Sequence, residues 1–522
     1  MTRQEQSTAD IWAAIAHCSR TVLARSGIAP AQVRGIGFDA TCSLVVLDAA
    51  TDAPISVCGD FSDPARNVML WMDHRAGAET RAINATGHGL LRYVGGGMSI
   101  EMEIPKVLWL KKHMPAADFA RAKFFDLADA LTHLATGADT RSFCSAVCKQ
   151  GFVPVGVDGS VKGWQPDFLR AVGLGDLVDD GFARIGGGGD GTAWASAGAP
   201  VGWLSAQAAA DLGLHTRVRI GSGVIDAYAG WIGSVGAGGG PLDAAFHRLA
   251  AVAGTSTCHL VMSRAPVFVP GVWGPYRDVL VPGMWMAEGG QSSTGSLLHN
   301  VLTTHPAYAE ALARAGGDEH GVFGFLAAHL ETLRARARAP TIAHLAKHLF
   351  VYGDKHGNRS PIADPAMRGA VVGLSFDVSV DDLALQYYGA MEFVALQTRH
   401  IVDTLNAAGH DVRSVYMSGG QCKNKLLMQL IADATRMDVV LPRYENDAVV
   451  LGAAMLGAVA AGEGKEGLWE VMGRMAGEGG TVRPAGEGAA RRLLEAKYRV
   501  FLQMAEAQRE YRRIVDEALA EA

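Results

Sequence analysis

The stretch GSGVIDAYAG sets one carboxylate, Asp226, among Gly, Val, Ile and Ala. A strand-like approach precedes it and a small-residue helix start follows. An acid at such a junction either caps the helix or takes the proton of a hydroxyl while a phosphoryl group arrives. Phosphoryl transfer asks little covalent help of a protein. It needs positioning, charge neutralisation and one base near the nucleophile.

Three other stretches and two single charges carry related chemistry. AGTSTC puts Gly254, Thr255 and Ser256 in a tight turn, where amides and hydroxyls can hold phosphate oxygens. A plain hairpin turn is the competing reading. MSGGQCKNKLLMQL ends a strand on Gly419-Gly420 and places Asn424 near a helix start, so a nucleotide base can rest on the glycines. A helix-opening turn with glycines for packing explains it equally well. WMDHRA joins an aromatic ring to polar side chains, a combination suited to polyhydroxyl ligands and also to an exposed loop with a structural Trp. Lys149 and Glu288, each taken alone, read as ordinary charges.

These groups need elements to carry them. A helix starts at a Ser7 or Thr8 cap, shows the stripe Ile11, Ile15, Cys18, Val22 and Leu23, and ends near Gly27. Strands are expected at 33–40 and 43–48, and helices near 101–115, 125–136 and 203–212. The glycine-rich run GSVGAGGGPLDA marks a linker and a domain boundary near residue 240, giving units 1–240 and 241–522. A hairpin (247–254 with 257–263) opens the second unit. The helix–turn–strand segment 396–420 repeats the pattern of 10–40, which points to two halves on one plan. On that plan the first sheet lacks its opening strands.

Totals limit the function classes. The chain has 522 residues, 49% apolar and 19% charged, with net charge -6. That fits large buried cores, two to four domains, and no nucleic-acid or membrane partner, since Lys and Arg form no long runs. Seven scattered Cys suggest reduced thiols in a cytoplasm. Cys144 and Cys148 lack a second pair with metal-ligand spacing and read as buried small residues. The start MTRQEQSTADIW has no signal-peptide core. The run AVVLGAAMLGAVAAG (448–462) is too short to span a bilayer comfortably and reads as a buried helix.

Taken in order, GIGFDATCSLVVLD, LWMDHRA, SIEMEIPKVLWLKKHMP, FFDLADALTHLATG, RSFCSAVCK, GSGVIDAYAG, AGTS, EGGQSSTG, GDKHGNRSPIADP and MSGGQCKNKLLMQ resemble the FGGY carbohydrate kinases, in their pentulose kinase branch, from about residue 7 to about residue 510. The resemblance implies an α/β fold of two actin-like, ribonuclease-H-like domains with an interdomain cleft. It implies transfer from ATP, with Mg2+, to a ketopentose or pentitol. Asp226 then matches the catalytic base, and Lys149 and Glu288 match sugar-contacting residues, with Ala40 and Thr41 on the sugar-side loop. Gly254, Thr255 and Ser256 match the second phosphate motif, and Gly420 and Asn424 the adenosine motif. The metal ligands stay unassigned, and a homodimer is the family's habit. Family members open on an Asp-x-Gly-Thr phosphate loop that this chain does not show. The expectation is therefore a first domain without that segment, either because the natural protein extends upstream or because it is a shortened form without full kinase activity. A non-catalytic sugar or nucleotide sensor and a kinase for another polyol, such as glycerol or an aldonate, are the alternatives.

Overall fold

The computed structural model describes residues 3–187, 194–462 and 465–520. Its first helix, Thr8–Ser26, begins where Ser7 Oγ accepts the Asp10 amide and ends where Gly27 turns left-handed at φ 66°. Ile11, Trp12, Ile15 and Ala16 face the core, whereas the expected stripe members Cys18 and Val22 are exposed. The helix is rotated because Trp12 is inward, its indole N–H held by Asp211 at 2.9 Å. Ahead of the helix, Glu5–Gln6 pairs antiparallel with Val68–Met69. That short strand joins a sheet with Leu44–Asp48 and Ala122–Asp126.

The strand expected over 33–40 is broken in two. Gly35–Ile36 lies parallel to Arg219–Gly221, and Asp39–Ala40 parallel to Val224–Ile225. A helix of the second half, Ala448–Ala461, presses on this break. A Cβ at Gly37 would stand 2.3 Å from the Ala453 carbonyl oxygen, so only glycine fits.

The second half is built on a seven-stranded sheet. The hairpin read from the sequence is present: Arg248–Ala253 pairs antiparallel with Thr257–Ser263, Ala253 opposite Thr257. Ser414–Ser418 lies parallel to Arg248–Ala253 on one side and to Asp438–Leu441 on the other. The helix before it, Val380–Ala408, is longer than the segment from 396 suggested, and closes on Gly409 at φ 119°. Both halves thus contain a helix, a left-handed glycine and a parallel strand in succession.

The glycine-rich run is not wholly a linker. Gly233 to Val235 belong to the helix Asp226–Val235, and the break begins only at Gly236. The reason is packing. A Cβ at Gly233 would lie 1.9 Å from the Ala448 carbonyl oxygen, and one at Gly452 would lie 2.0 Å from that of Ala229. The two helices touch backbone to backbone. The run 448–462 is a largely buried helix, as its composition indicated, and among the described residues no helix is long and apolar enough to cross a membrane. Gly452→Val is expected to cost about 1–3 kcal/mol or more through overpacking. The same helix's exposed Val450, changed to Ala, should stay within about 0.5 kcal/mol. Urea midpoints of both variants check the contrast.

Candidate functional site

Asp226 sits at the seam. Its strand pairs Val224 with Asp39 and Ile225 with Ala40. Ile225 occupies the cap position, so Asp226 is the first helical residue and not the cap. Its Oδ1 accepts the Ala227 amide at 2.7 Å. Burial pushes the carboxyl up to about 6, against the pull of that hydrogen bond and of Lys149. The group opens on a cavity of about 350 Å³ between the halves.

Lys149 enters from the helix Phe143–Lys149. Ser142 caps that helix through the Cys144 amide, and the same hydroxyl donates to the Gly223 carbonyl at 2.6 Å. The helix carrying Lys149 is thereby tied to the strand leading into Asp226. Beneath it, Asp126 accepts from Ser145, and Glu103 accepts from Gln150. Burial, with Glu103 alongside, raises Asp126 well above the usual carboxylate range. Lys149 Nζ donates to both Glu288 oxygens at 3.0 and 3.1 Å, with 2% and 3% of the two side chains exposed. Burial is the largest influence and opposes the ammonium, but Glu288 and lesser neighbours together raise Lys149 above its usual value. Tyr228 donates to Glu288, and Lys149 lies 4.5 Å from the centre of the Trp273 ring.

Facing them is the turn of the hairpin. The Gly254 amide donates to the Ser256 carbonyl, and the Thr255 carbonyl accepts the amides of Thr294 and Ser296. Gly254, Thr255 and Ser256 all line the cavity. Gly419 adopts φ 96° hard against Ala253, while a Cβ at Gly420 would meet nothing within 4 Å, so the Gly420 backbone is open to the cavity. An anion can approach this cradle of turn amides and hydroxyls closely.

Not every predicted residue joins. Asn424 caps the helix Lys425–Thr435 by accepting the Leu427 amide, and its NH2 donates to Tyr387. It is not among the cavity-lining residues. Ala40 is buried behind the lining, which Thr41 and Cys42 supply. In WMDHRA only Trp71 reaches the cavity; Asp73 and Arg75 bind each other, with Gln4 and Glu5. Buried Lys106 holds the Leu70 and Trp71 carbonyls and so sets that loop. Cys144 and Cys148 are buried, Cys148 donating to Tyr228.

Three charged or aromatic cavity residues were not singled out from the sequence. Arg359 and Glu101 pair across the cleft at 3.0 Å. They lie in GDKHGNRSPIADP and SIEMEIPK, two of the segments of resemblance, but no local pattern links them. Trp273, on the strand Trp273–Arg277, is the third. Asp39 stands beside Asp226 through the strand pairing; burial first, then Asp226, raises it to about 7. Among the described residues no three His, Cys, Asp or Glu side chains are grouped to hold a metal. Replacing Lys149 with Ala strands Glu288 in the interior, and the expected loss is about 3–5 kcal/mol, read from urea unfolding.

The N-terminal domain of the FGGY family of carbohydrate kinases matches residues 1–152, and the family's C-terminal domain matches residues 249–461. A D-ribulokinase of Saccharomyces cerevisiae is 51% identical over 471 residues, 87% of this chain and 66% of its own length. A human FGGY carbohydrate kinase domain-containing protein is 40% identical over 524 residues, 98% of this chain and 91% of its own. The crystal structure of ligand-bound xylulose kinase from Lactobacillus acidophilus superposes with a TM-score of 0.72 at 17% identity, over 97% of this chain and 90% of that one. The expectation of an absent first segment is not supported, because the N-terminal domain match runs from residue 1.

Proposed function

Because the chain belongs to the FGGY family of carbohydrate kinases, we propose that it moves the γ-phosphoryl group of ATP to a hydroxyl of a pentulose or pentitol of the ribulose or ribitol type. The observation that carries the reading is the shared cavity: Asp226, Lys149 and Glu288 on one wall, the 254–256 turn and Gly420 on the other. Its volume of about 350 Å³ suits a small polyol with phosphates reaching in from one side. A 51%-identical relative named a D-ribulokinase favours ribulose over glycerol.

In this reading Asp226 accepts the proton of the substrate hydroxyl as its oxygen bonds to the γ-phosphorus and the bond to ADP breaks. Lys149 and Glu288 hold sugar hydroxyls, one donating and one accepting, with Thr41 and the Ala40 backbone on the same side. The amides and hydroxyls of Thr255 and Ser256 hold phosphate oxygens, while Gly254, its own amide bonded to the Ser256 carbonyl, braces the turn and lets them approach. Gly420 supports the nucleotide, and Asn424 acts behind it by capping the adjoining helix. Mg2+ would come in on the nucleotide phosphates, offset their charge and need at most one or two protein carboxylates. Residues 1–240 form most of the sugar side, to which Glu288 of the second unit is added, and 241–522 form the nucleotide side.

ADP release with D-ribulose, L-ribulose, ribitol and xylulose tests the assignment; no turnover by folded protein with any of them rejects it. Asp226→Asn should lose about a hundred- to ten-thousand-fold in kcat while still binding nucleotide. A base must be unprotonated to act, and Asp226 carries its proton below about 6. kcat/KM should therefore fall about tenfold per pH unit below that value, a limb that a pH–rate profile reads directly.

A further inference from the structure

The function proposed above uses Lys149 and Glu288. A second ion pair lines the same cavity. Glu101 lies just before the helix Glu103–His113, and Arg359 in the loop after the strand Phe350–Tyr352. Their oxygen and nitrogen are 3.0 Å apart, and the side chains are 15% and 7% exposed. The partners come from opposite halves.

The strand register explains the neighbourhood. Leu260 and Trp273 both stand opposite Glu288, and Cys258 is two residues from Leu260. Trp273, Glu288 and Cys258 therefore share one face of the sheet. Arg359 lies on that face, 5.7 Å from the Trp273 ring centre and 3.7 Å from Cys258 Sγ. One indole thus carries two cations, Lys149 and Arg359, each bound to its own carboxylate. Arg359 Nε is buried without a hydrogen-bond partner. A guanidinium has five donors, and this one has donors left to give.

We propose that Glu101 and Arg359 are a second hydroxyl-reading couple of the sugar pocket. Arg359 donates to, and Glu101 accepts from, hydroxyls of an uncharged pentulose. The pair is neutral as a unit, so it suits an uncharged polyol and disfavours an aldonate, whose carboxylate would meet Glu101. The couple is thus a specificity site that neither half holds alone. The proposal rests on the kinase reading for the identity of the ligand.

The test is steady-state kinetics of the full chain with D-ribulose and ATP, for wild type, Arg359→Gln, Arg359→Lys and Glu101→Gln, with thermal melts of each. Arg359→Gln should raise the KM for sugar about ten- to a hundredfold, as for loss of a charged hydrogen bond, and leave the KM for ATP within about twofold. Arg359→Lys should not rescue it, because the fork geometry is lost. Glu101→Gln should raise the ratio of D-ribonate to D-ribulose turnover about tenfold. An unchanged sugar KM overturns the proposal, and so does an equal rise for sugar and ATP, the mark of a latch that only joins the halves. An unchanged ribonate ratio overturns the selection against aldonates. If wild type phosphorylates no pentulose, the kinase reading falls by itself; calorimetric binding of D-ribulose to wild type and Arg359→Gln still decides this one, and equal binding or none overturns it.

Discussion

The structure depends on a place where two helices meet without side chains between them. Gly233 faces the carbonyl of Ala448, and Gly452 faces that of Ala229, at distances that leave no room for a methyl group. The first helix begins with Asp226. The second, Ala448–Ala461, comes from the other half and also covers the strands Gly35–Ile36 and Arg219–Gly221, where Gly35 and Gly221 meet its backbone. The position of the cavity's central carboxylate is therefore set by chain from both sides.

Around that joint the protein buries charge at a cost. Lys149 and Glu288 are almost wholly out of water, and such a pair gains little over apolar residues of the same shape. Its surroundings are arranged to keep it: Tyr228 donates to Glu288, the Trp273 face receives the ammonium, and a capped helix holds the lysine backbone. Asp226 remains close to its neighbours' charges yet poorly solvated, and this lifts it to about 6. Burial raises both Asp39 and Asp226, and Asp39, whose strand pairs with the one leading into Asp226, is lifted further by that neighbouring acid.

Local chemistry made much of this legible in the sequence. The cap at Ser7, the helix end at Gly27 and the small-residue turn at 254–256 are short-range features with short-range causes, whereas Asn424, read as part of a nucleotide motif, is a helix cap. Asp226 was readable as an acid at a strand–helix junction, but only the backbone torsions show that Ile225 holds the cap position. The long-range features were not readable. Glu101 and Arg359 are 258 positions apart, and nothing near either residue announces the other. Trp12 displaced Cys18 and Val22 from the inner face because of a bond to Asp211, which periodicity cannot register. The glycine run read as a linker begins inside a helix because Gly233 packs against a partner helix more than 200 positions away.

The hydroxyl of Ser142 donates to the carbonyl of Gly223 while capping the helix that ends in Lys149. One small side chain thus makes the lysine's helix and the carboxylate's strand a single mechanical piece. Substitutions that shift that helix will be felt at Asp226 as well, so change there is pleiotropic. The Arg359 loop belongs to the other half and has no such tie to that strand among the described contacts. Natural variation or directed selection has more freedom to alter what the cavity accepts through that loop than through the helix that ends in Lys149.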